Sequence, residues 1–513
     1  MKFPYKAIIL LNLTLLLIPA CTTQIPDTPS PTIYSSGTQG SIQPATKTPS
    51  PEKIIPTLSD ISPEPTQTAP LLPITPQVNP SQNTQYLLSA VLDYGQHRLS
   101  VDEQIIYFNH VSEPLSEFIF IIEPTLFPSV FHLKGLNWED GSPITDYDLE
   151  VGWLRLPLPE TLFPGGRLAI SLTYDLNLPS PDASYYGRPI PFGYTSRQTN
   201  LVDWYPYLPP YQPGQGWLVH QAGFFGEHLV YETADFQVNI RMDDQRDDLI
   251  LAASAPTQMD GDWRHYQLKS ARNFVWSVSP LYQVEQIQVG NVTLLGYEFP
   301  AHAAAGASAI KTTAEALSLY SRLFGPYPHE TLSLVEADFL DGLEYDGLYF
   351  LSNGFYNLYN SSPSDYLTAI AAHETAHQWW YGLVGNDQAL EPWLDEALCT
   401  YMERIYYEYT HPESLDWWWT YRVNYYQPHG WVDGSIYNPE GYRAYRDAVY
   451  LNGAIFLEDL RNLMGDEAFF ASLKDYLTRY SHKIATTVDF FRVVKDHTSI
   501  DLNPLMKTFF SQK

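Results

Sequence analysis

Residues 368–382 read TAIAAHETAHQWWYG, and this stretch carries two histidines four positions apart with a glutamate directly after the first. On an α-helix, side chains at positions i and i+4 project from the same face. His373 and His377 can therefore bind one metal ion through their imidazoles. An accidental match is the alternative in a chain with 14 histidines. The apolar flanks predict a buried helix, however, and burying two histidines and a carboxylate without a partner is costly.

A catalytic zinc site needs a third protein ligand and keeps a water in its fourth position. Glu374, next to the first histidine, can take the proton of such a water. Glu396 lies nineteen residues after His377. A helix, a turn near residues 385–387 and a returning helix would bring it back beside the histidines. A solvated helix carboxylate is the alternative for Glu396, but its apolar neighbours favour burial.

The segment HETAHQWWYGLVGNDQALEPWLDEALCTYMER, residues 373–404, resembles the zinc signature of the aminopeptidase N and leukotriene hydrolase family, a group of gluzincin metallopeptidases. That family has H-E-x-x-H, eighteen residues, then a glutamate in a Trp-Leu-Asn-Glu-Gly setting. Asp395 and Ala397 differ from this setting, while the glutamate is kept. The resemblance implies three zinc ligands and a general base, which are His373, His377, Glu396 and, as the base, Glu374.

A second motif, DGLEYDGLYFLSNG at residues 341–354, resembles the family's Gly-x-Met-Glu-Asn segment on an edge strand. Leu343 stands in place of Met and Tyr345 in place of Asn. A glycine on an edge strand lets another chain approach closely, which suits Gly342. The resemblance implies that Glu344 binds the free amine of a peptide, since a carboxylate pairs well with an ammonium. Taken alone, Glu344 reads equally well as a turn carboxylate.

A third motif, AYRDAVYLNGAIFLEDLRNLMG at residues 444–465, resembles the family helix whose tyrosine hydroxyl stabilises the tetrahedral oxyanion. Tyr450 takes that tyrosine's place, and Asn452 stands where the family has a lysine. A phenol donor aimed at developing negative charge is a chemically sound role. The resemblance therefore implies that Tyr450 is a catalytic residue.

The N-terminus reads MKFPYKAIILLNLTLLLIPA and is followed by Cys21. Its apolar run is too short to span a bilayer comfortably, which predicts a signal peptide over residues 1–20. The LIPAC sequence resembles a bacterial lipobox, so we expect lipidation of Cys21; a plain secretory signal is the alternative. The chain has two cysteines, which excludes a disulfide scaffold. Cys399 is then a lone thiol, expected to be a small buried hydrophobe.

The rest of the chain changes twice in composition and in predicted secondary structure. Residues 21–83 are rich in Pro, Thr and Ser and predict a disordered tether. Residues 84–300 contain short strand-like runs and predict an antiparallel β-sandwich or saddle domain. Residues 301–513 begin with mixed elements and become helical, which predicts a mainly helical α+β domain. The resemblance implies that this is a thermolysin-like catalytic domain. We expect a multidomain short form without the C-terminal helical domain of large family members, and hence a more open cleft.

These observations predict a zinc-dependent metallopeptidase, with one Zn²⁺ per chain and peptides as substrates. An aminopeptidase is expected first; a zinc endopeptidase with relaxed end preference and a non-catalytic surface binding protein are the alternatives. The formal net charge of −29 speaks against nucleic acid as a partner. The signal predicts an extracytoplasmic location, with the chain held at the membrane through Cys21. The sequence does not indicate an oligomeric state.

Overall fold

The structure, a computed structural model, describes residues 83–180, 191–244, 246–339 and 341–511. The predicted signal peptide, Cys21 and all but the last residue of the predicted tether lie outside these ranges, so those expectations stay predictions. Within the described ranges, no helix is both long enough and apolar enough to cross a membrane. The domain boundaries also stay a prediction.

Residues 84–298 form β-structure that includes a seven-stranded sheet. The strands are Thr84–Asp93 (β1), Arg98–Phe108 (β2), Leu115–Ile122 (β3), Phe131–Trp138 (β4), Asp148–Glu150 (β5), Gly152–Leu162 (β6), Arg167–Asn177 (β7), Gly193–Tyr194 (β8), Thr199–Leu201 (β9), Tyr211–Gln212 (β10), Gly216–Trp217 (β11), Ala234–Met242 (β12), Ile250–Ala253 (β13), Thr257–Asp260 (β14), Trp263–Ala271 (β15), Trp276–Ser279 (β16), Gln283–Val289 (β17) and Val292–Glu298 (β18).

The seven-stranded sheet has the order β14-β15-β12-β1-β2-β7-β4. Residues of β1 alternate between buried and half-buried along its whole length, as expected for a strand with one face on a core. Most neighbours in this sheet are antiparallel, as the sequence predicts, but β1 and β12 run parallel. Smaller sheets, β3-β6-β5 and β13-β16-β9-β8, complete the β-rich part of the fold.

The C-terminal part of the chain combines strands of one sheet with α-helices. Its strands are Thr331–Ala337 (β19), Gly342–Tyr345 (β20) and Leu348–Ser352 (β21). Its α-helices are Ala303–Phe324 (α1), Asn353–Asn357 (α2), Tyr366–Ala376 (α3), Trp393–Thr410 (α4), Leu415–Trp417 (α5), Tyr442–Arg446 (α6), Gly453–Met464 (α7), Asp466–Tyr480 (α8), Thr487–Asp496 (α9) and Asn503–Phe509 (α10). The wider turns of π-helix occur at Trp418–Val423 and Asp447–Asn452.

A five-stranded sheet in the order β17-β18-β19-β21-β20 carries the site described below. It spans the boundary predicted between residues 300 and 301, because β18 pairs in parallel with β19. Every residue of β19 and β21 is buried, as is usual for parallel strands covered on both faces. The last strand, β20, is antiparallel to β21 and lies at the edge of the sheet. The fold is therefore multidomain, with a β-rich part followed by a mainly helical part, which confirms the predicted class.

Helix α3 is shorter than the sequence pattern suggests. The helical pattern predicts a helix over residues 364–384, whereas α3 ends at Ala376. Asp365 caps its start by accepting a hydrogen bond from the Thr368 amide at 2.8 Å. The chain then folds tightly, and Tyr381 adopts a φ of 133° within that turn. The returning helix, expected over residues 391–409, is α4.

Candidate metal centre and active-site cavity

Three potential metal ligands converge between α3 and α4. Nε2 of His373 lies 3.2 Å from Oε2 of Glu396, and Nε2 of His377 lies 3.6 Å from the same oxygen. All three side chains are almost fully buried. The two histidines come from the C-terminal end of α3, and Glu396 comes from the first turn of α4. The structure thus brings together the three ligands that the sequence spacing predicts.

The opposite ring nitrogens show that these histidines present Nε2 for coordination. Nδ1 of His373 lies 2.9 Å from Oε1 of Glu403, and Nδ1 of His377 lies 3.1 Å from the Trp380 carbonyl oxygen. Because those oxygens accept hydrogen bonds, each Nδ1 carries a hydrogen, and Nε2 is the nitrogen that can bind a metal ion. Two neutral imidazoles and one carboxylate form a donor set that suits Zn²⁺ in a catalytic site. The residues present therefore fit the predicted metal.

Glu403 is buried behind the metal centre and was not identified from the sequence. Arg422 donates to both of its oxygens, from Nε at 2.9 Å and from Nη2 at 2.8 Å, and the Trp418 indole donates at 2.8 Å. Burial opposes ionisation here, but Arg422 and His373 hold the pKa of Glu403 below its usual range. Glu403 is therefore a charged partner that fixes the orientation of the His373 ring.

Glu374 faces the cavity from α3, next to the ligand histidines. Its Oε2 is buried and has no hydrogen-bond partner among the described residues. Burial raises the pKa of Glu374 to about 8, although His373 and His377 act in the opposite direction. An unpaired buried oxygen is unusual in a folded protein. This one is able to accept a hydrogen bond from a group that enters the cavity.

Gly342 on the edge strand packs directly against Glu374. A Cβ at this position would lie 2.1 Å from Oε1 of Glu374, far inside van der Waals contact. Glycine is thus required here because the carboxylate occupies the space that any side chain would take. The predicted role of Gly342 in letting a substrate chain approach β20 stays a prediction.

Glu344 lies on β20 and is buried at the same cavity. Gln388 donates a hydrogen bond from its Nε2 to Oε1 of Glu344 at 2.8 Å. A carboxylate oxygen of Glu227 lies within 4.8 Å of carboxylate oxygens of both Glu344 and Glu396. Glu227 comes from an irregular segment that carries no motif, so sequence reasoning missed it. Two carboxylates beside the metal centre form an environment that attracts a cation.

Tyr450 approaches the centre from the segment that precedes α7. Its hydroxyl donates to Oε1 of Glu396 at 2.6 Å, and its ring stacks nearly parallel to that of His373, with centroids 6.2 Å apart. Burial raises the pKa of Tyr450 well above its usual value, so the hydroxyl stays protonated. The residue sits in the π-helical segment 447–452. Widened helical turns of this kind are frequent at functional sites.

The three potential ligands line one cavity of about 400 Å³ together with Glu374, Gly342, Glu344, Glu227 and Tyr450. Edge strand β20 forms one wall, and α3 forms another, from His377 at one end to Tyr366 at the other. Residues 224–227, Arg422 and the segment around Tyr450 close the remaining sides. The cavity is large enough for a short peptide. Cys399 is a free, fully buried thiol, as predicted.

Comparisons with known proteins agree with this geometry. Residues 308–509 match the family model described as the Peptidase family M1 domain. Endoplasmic reticulum aminopeptidase 1 of Mus musculus is 27% identical over 251 residues, 46% of this chain and 27% of that protein. Aminopeptidase M1-B of Oryza sativa subsp. japonica is 26% identical over 223 residues, 40% of this chain and 26% of that protein. The matched region thus spans about a quarter of the length of these curated relatives.

Solved structures show the same fold. The M1 zinc metallopeptidase from Deinococcus radiodurans aligns with a TM-score of 0.58 and 19% sequence identity, covering 83% of this chain and 94% of that one. A mutant form of that enzyme, bound to a Tyr-ser-ala substrate, aligns with the same score and identity over 84% of this chain and 95% of that one. The likeness covers both the β-rich part and the helical part.

Proposed function

Residues 308–509 belong to peptidase family M1, and on that premise we propose that this protein is a zinc-dependent aminopeptidase that releases the first residue of peptides. One observation carries the proposal. The three-ligand centre, the unpaired carboxylate of Glu374 and the amine-binding candidate Glu344 all line a single cavity. Each step of peptide hydrolysis from a free N-terminus thus has a residue in place.

His373, His377 and Glu396 would hold the zinc ion. When bound there, zinc supplies a Lewis acid that makes a water nucleophilic near neutral pH and polarises the carbonyl of the scissile bond. The hydrogen bonds from the two Nδ1 atoms keep both rings oriented towards that position. Glu403 adds negative charge behind His373, which raises the basicity of the coordinating nitrogen.

Glu374 acts as the general base in this proposal. Its unpaired Oε2 accepts a proton from the attacking water, and the same carboxyl group then delivers that proton to the leaving amine. Burial favours this exchange, because a buried carboxylate binds a proton more readily than an exposed one. Gly342 keeps the carboxylate in position by leaving room for Oε1.

Glu344 would make the enzyme act at the N-terminal end of a peptide. A peptide pairing with edge strand β20 would place its N-terminal ammonium against Glu344 and Glu227, where two carboxylates compensate its charge. Beyond the scissile bond, the cavity continues along α3 to Tyr366. That stretch covers seven helical residues, or about 10 Å at 1.5 Å per residue. It has room for about three residues of an extended peptide.

Tyr450 supplies a hydroxyl next to the site of attack. Its hydrogen bond to Glu396 holds the phenol at the edge of the cavity, from which it can donate to a tetrahedral oxyanion. The ring also packs edge-on against Tyr445, with centroids 5.7 Å apart, which restricts its movement.

A pair of peptides tests the proposal. The purified protein is incubated with a tetrapeptide and with its N-acetylated form, before and after treatment with a zinc chelator. We expect release of the first residue from the free peptide only, loss of activity after chelation and recovery on adding Zn²⁺. Equal cleavage of both peptides would support the endopeptidase instead. Cleavage of neither, with zinc bound, would support a non-catalytic binding protein.

We further propose that the protein is exported and anchored to the outer face of a membrane through lipidated Cys21. The lipobox-like LIPAC sequence and the Pro-rich stretch behind it support this location. Labelling of cells with a radioactive fatty acid tests it, with Cys21→Ser as the comparison. The wild-type protein should take up label and sediment with membranes, whereas the variant should do neither.

A further inference from the structure

A second, smaller cavity of about 80 Å³ opens beside the proposed amine-binding position. It adjoins the active-site cavity, because Glu227, Leu343 and Glu344 line both. A side chain on the first residue of a bound peptide starts from the carbon that carries the ammonium. A pocket that begins at Glu344 is therefore positioned to receive that side chain.

The charges in this pocket are strongly unbalanced. Its described lining includes four carboxylates and one histidine, namely Glu123, Asp203, Glu227, Glu344 and His228. His228 is already matched with Glu123, with Nε2 3.3 Å from Oε2. In the proposed complex, the substrate's ammonium compensates the charges at the pocket's mouth. Asp203 then remains as a carboxylate that forms no ion pair with a described residue, although His228 lies near enough to lower its pKa.

Asp203 is held in place by its surroundings. The Tyr231 hydroxyl donates a hydrogen bond to its Oδ1. The pKa of Asp203 is raised to about 7, mainly by burial; the hydrogen bond from Tyr231 acts in the opposite direction, and the nearby Glu123 contributes to the rise. A cation entering the pocket would stabilise the ionised form of this carboxylate.

The backbone around the pocket supports a ligand-binding role. Asp203 has a φ of 49° and Tyr381 has a φ of 133°, both positive. Such a conformation is a clear outlier for a bulky residue such as tyrosine. Backbone strain of this kind costs free energy and is concentrated at ligand-binding and catalytic sites. Two strained residues thus face the same small pocket.

The walls of the pocket suit a long side chain that ends in a charge. Phe192, Tyr231 and Tyr381 present aromatic rings that can pack against a methylene stem. A cationic group near such rings gains additional attraction from their π-electrons. At about 10–15 Å³ per water-sized position, 80 Å³ provides about five to eight positions. The heavy atoms beyond Cβ in lysine and in arginine do not exceed that range, so the pocket has room for either side chain.

We propose that this pocket selects peptides whose first residue is lysine or arginine, with Asp203 as the specificity-determining carboxylate. The inference rests on the proposed aminopeptidase function and names its substrate class. Asp203 acts by pairing with the substrate's side-chain cation, while Glu344 and Glu227 bind the α-ammonium. The α-ammonium and the side-chain cation of the same substrate residue thus pair with different carboxylates.

Isosteric fluorogenic substrates test the inference. We would measure kcat/KM for the aminoacyl coumarin amides of arginine and citrulline, and of lysine and norleucine. Each pair differs in charge far more than in size. We expect the charged member of each pair to be preferred by at least about tenfold, which corresponds to about 1.4 kcal/mol. Equal rates within each pair would overturn the inference and leave the proposed function intact.

Variants then assign the preference to a residue. Asp203→Asn keeps an oxygen for Tyr231 and should lower kcat/KM of the charged substrates far more than that of the neutral ones. Asp262→Asn, an exposed carboxylate in the β14–β15 turn, removes the same charge elsewhere and should leave both ratios unchanged. An unchanged preference in Asp203→Asn would refute its role. If zinc-loaded wild-type protein cleaves none of the four substrates but releases the first residue of the free tetrapeptide, the inference fails and the proposed function stands; failure on the tetrapeptide as well would refute both.

Discussion

Oε1 of Glu403 lies 2.9 Å from Nδ1 of His373, so a buried carboxylate supports the ring that presents Nε2 to the metal centre. Arg422 and Trp418 hold this carboxylate in turn. The metal-binding geometry thus depends on a chain of hydrogen bonds that extends from α4 to the π-helical segment 418–423.

Replacing Glu403 by Gln should weaken zinc binding. The amide cannot compensate the charge of Arg422 or increase the basicity of His373, and loss of such a partner typically lowers metal affinity about 10–100-fold. Competition with a zinc-binding dye measures the affinity. Glu458→Gln, which alters a carboxylate paired with Arg404 outside the cavity, is the matched control. Equal affinities for the two variants would contradict the supporting role of Glu403.

Replacing Glu374 by Gln should abolish hydrolysis while zinc stays bound. The amide cannot accept the proton of the attacking water, and loss of a general base costs about 10²–10⁴-fold in rate. Zinc content by metal analysis and kcat on a free tetrapeptide are the two measurements. Retained activity in the zinc-loaded variant would eliminate Glu374 as the base.

Replacing Gly342 by Ala should lower kcat at least about tenfold without unfolding the protein, because a 1 Å misplacement of a catalytic group costs about 10²-fold. The new methyl group would meet Oε1 of Glu374 at 2.1 Å and force the carboxylate away from its position. Gly135→Ala provides a control on strand β4, because a Cβ there meets its nearest atom at 3.6 Å. Circular dichroism checks the fold of both variants. A fully active Gly342→Ala enzyme would show that β20 shifts to make room for the methyl group without displacing Glu374.

Replacing Tyr450 by Phe should reduce kcat and leave KM nearly unchanged. The hydroxyl is proposed to interact with the transition state, and loss of one oxyanion donor costs about 10²–10³-fold. Steady-state kinetics on an aminoacyl substrate separates the two constants. A large rise in KM with unchanged kcat would instead assign Tyr450 to substrate binding.

Glu298 should make the protein less stable as the pH rises. Burial, with smaller contributions from Glu285 and Glu336, raises its pKa from 4.5 to about 7. Since the folded protein binds this proton more tightly than the unfolded chain, the stabilisation is complete below pH 4.5 and is lost as the pH approaches 7. Glu298→Gln should therefore raise the free energy of unfolding at pH 8 by roughly 2 kcal/mol.

Urea denaturation of both proteins at about pH 4, 6 and 8 measures this effect. The two proteins should have similar stability at the lowest pH and diverge towards the highest. A difference that is the same at all three values would show that the substitution acts through packing rather than through ionisation of Glu298.

The sequence predicted which three candidate ligands lie together, because spacing in a helix determines which side chains share a face. His373, His377 and Glu396 are positioned by that rule together with one turn. Glu403 could have been found in the same way, since it lies seven residues after Glu396 on the same face of α4. Its significance depends on Arg422, however, which approaches from a separate segment. That contact is tertiary and leaves no local pattern.

Other features of the site could not be predicted from the sequence, because they depend on three-dimensional contacts alone. Glu227 comes from a segment with neither helix nor strand, so no periodicity marks it as part of the cavity. The early end of α3 at Ala376 follows from a tight turn that includes Tyr381, while the apolar pattern continues to residue 384. Apolar residues buried in a turn and in a helix look alike in sequence.

The π-helical segments constrain which length changes this protein can tolerate during evolution. Each residue in an α-helix advances the direction of its side chain by about 100°. The widened turn at residues 447–452 holds one residue more than a regular α-helical turn, so deleting one residue there would restore regular helix and move Tyr450, while α7 would keep its face. Substitutions can accumulate around Tyr450, but insertions and deletions there would disconnect the phenol from Glu396. The widened turn thus makes chain length, as much as residue identity, a selected property of this site.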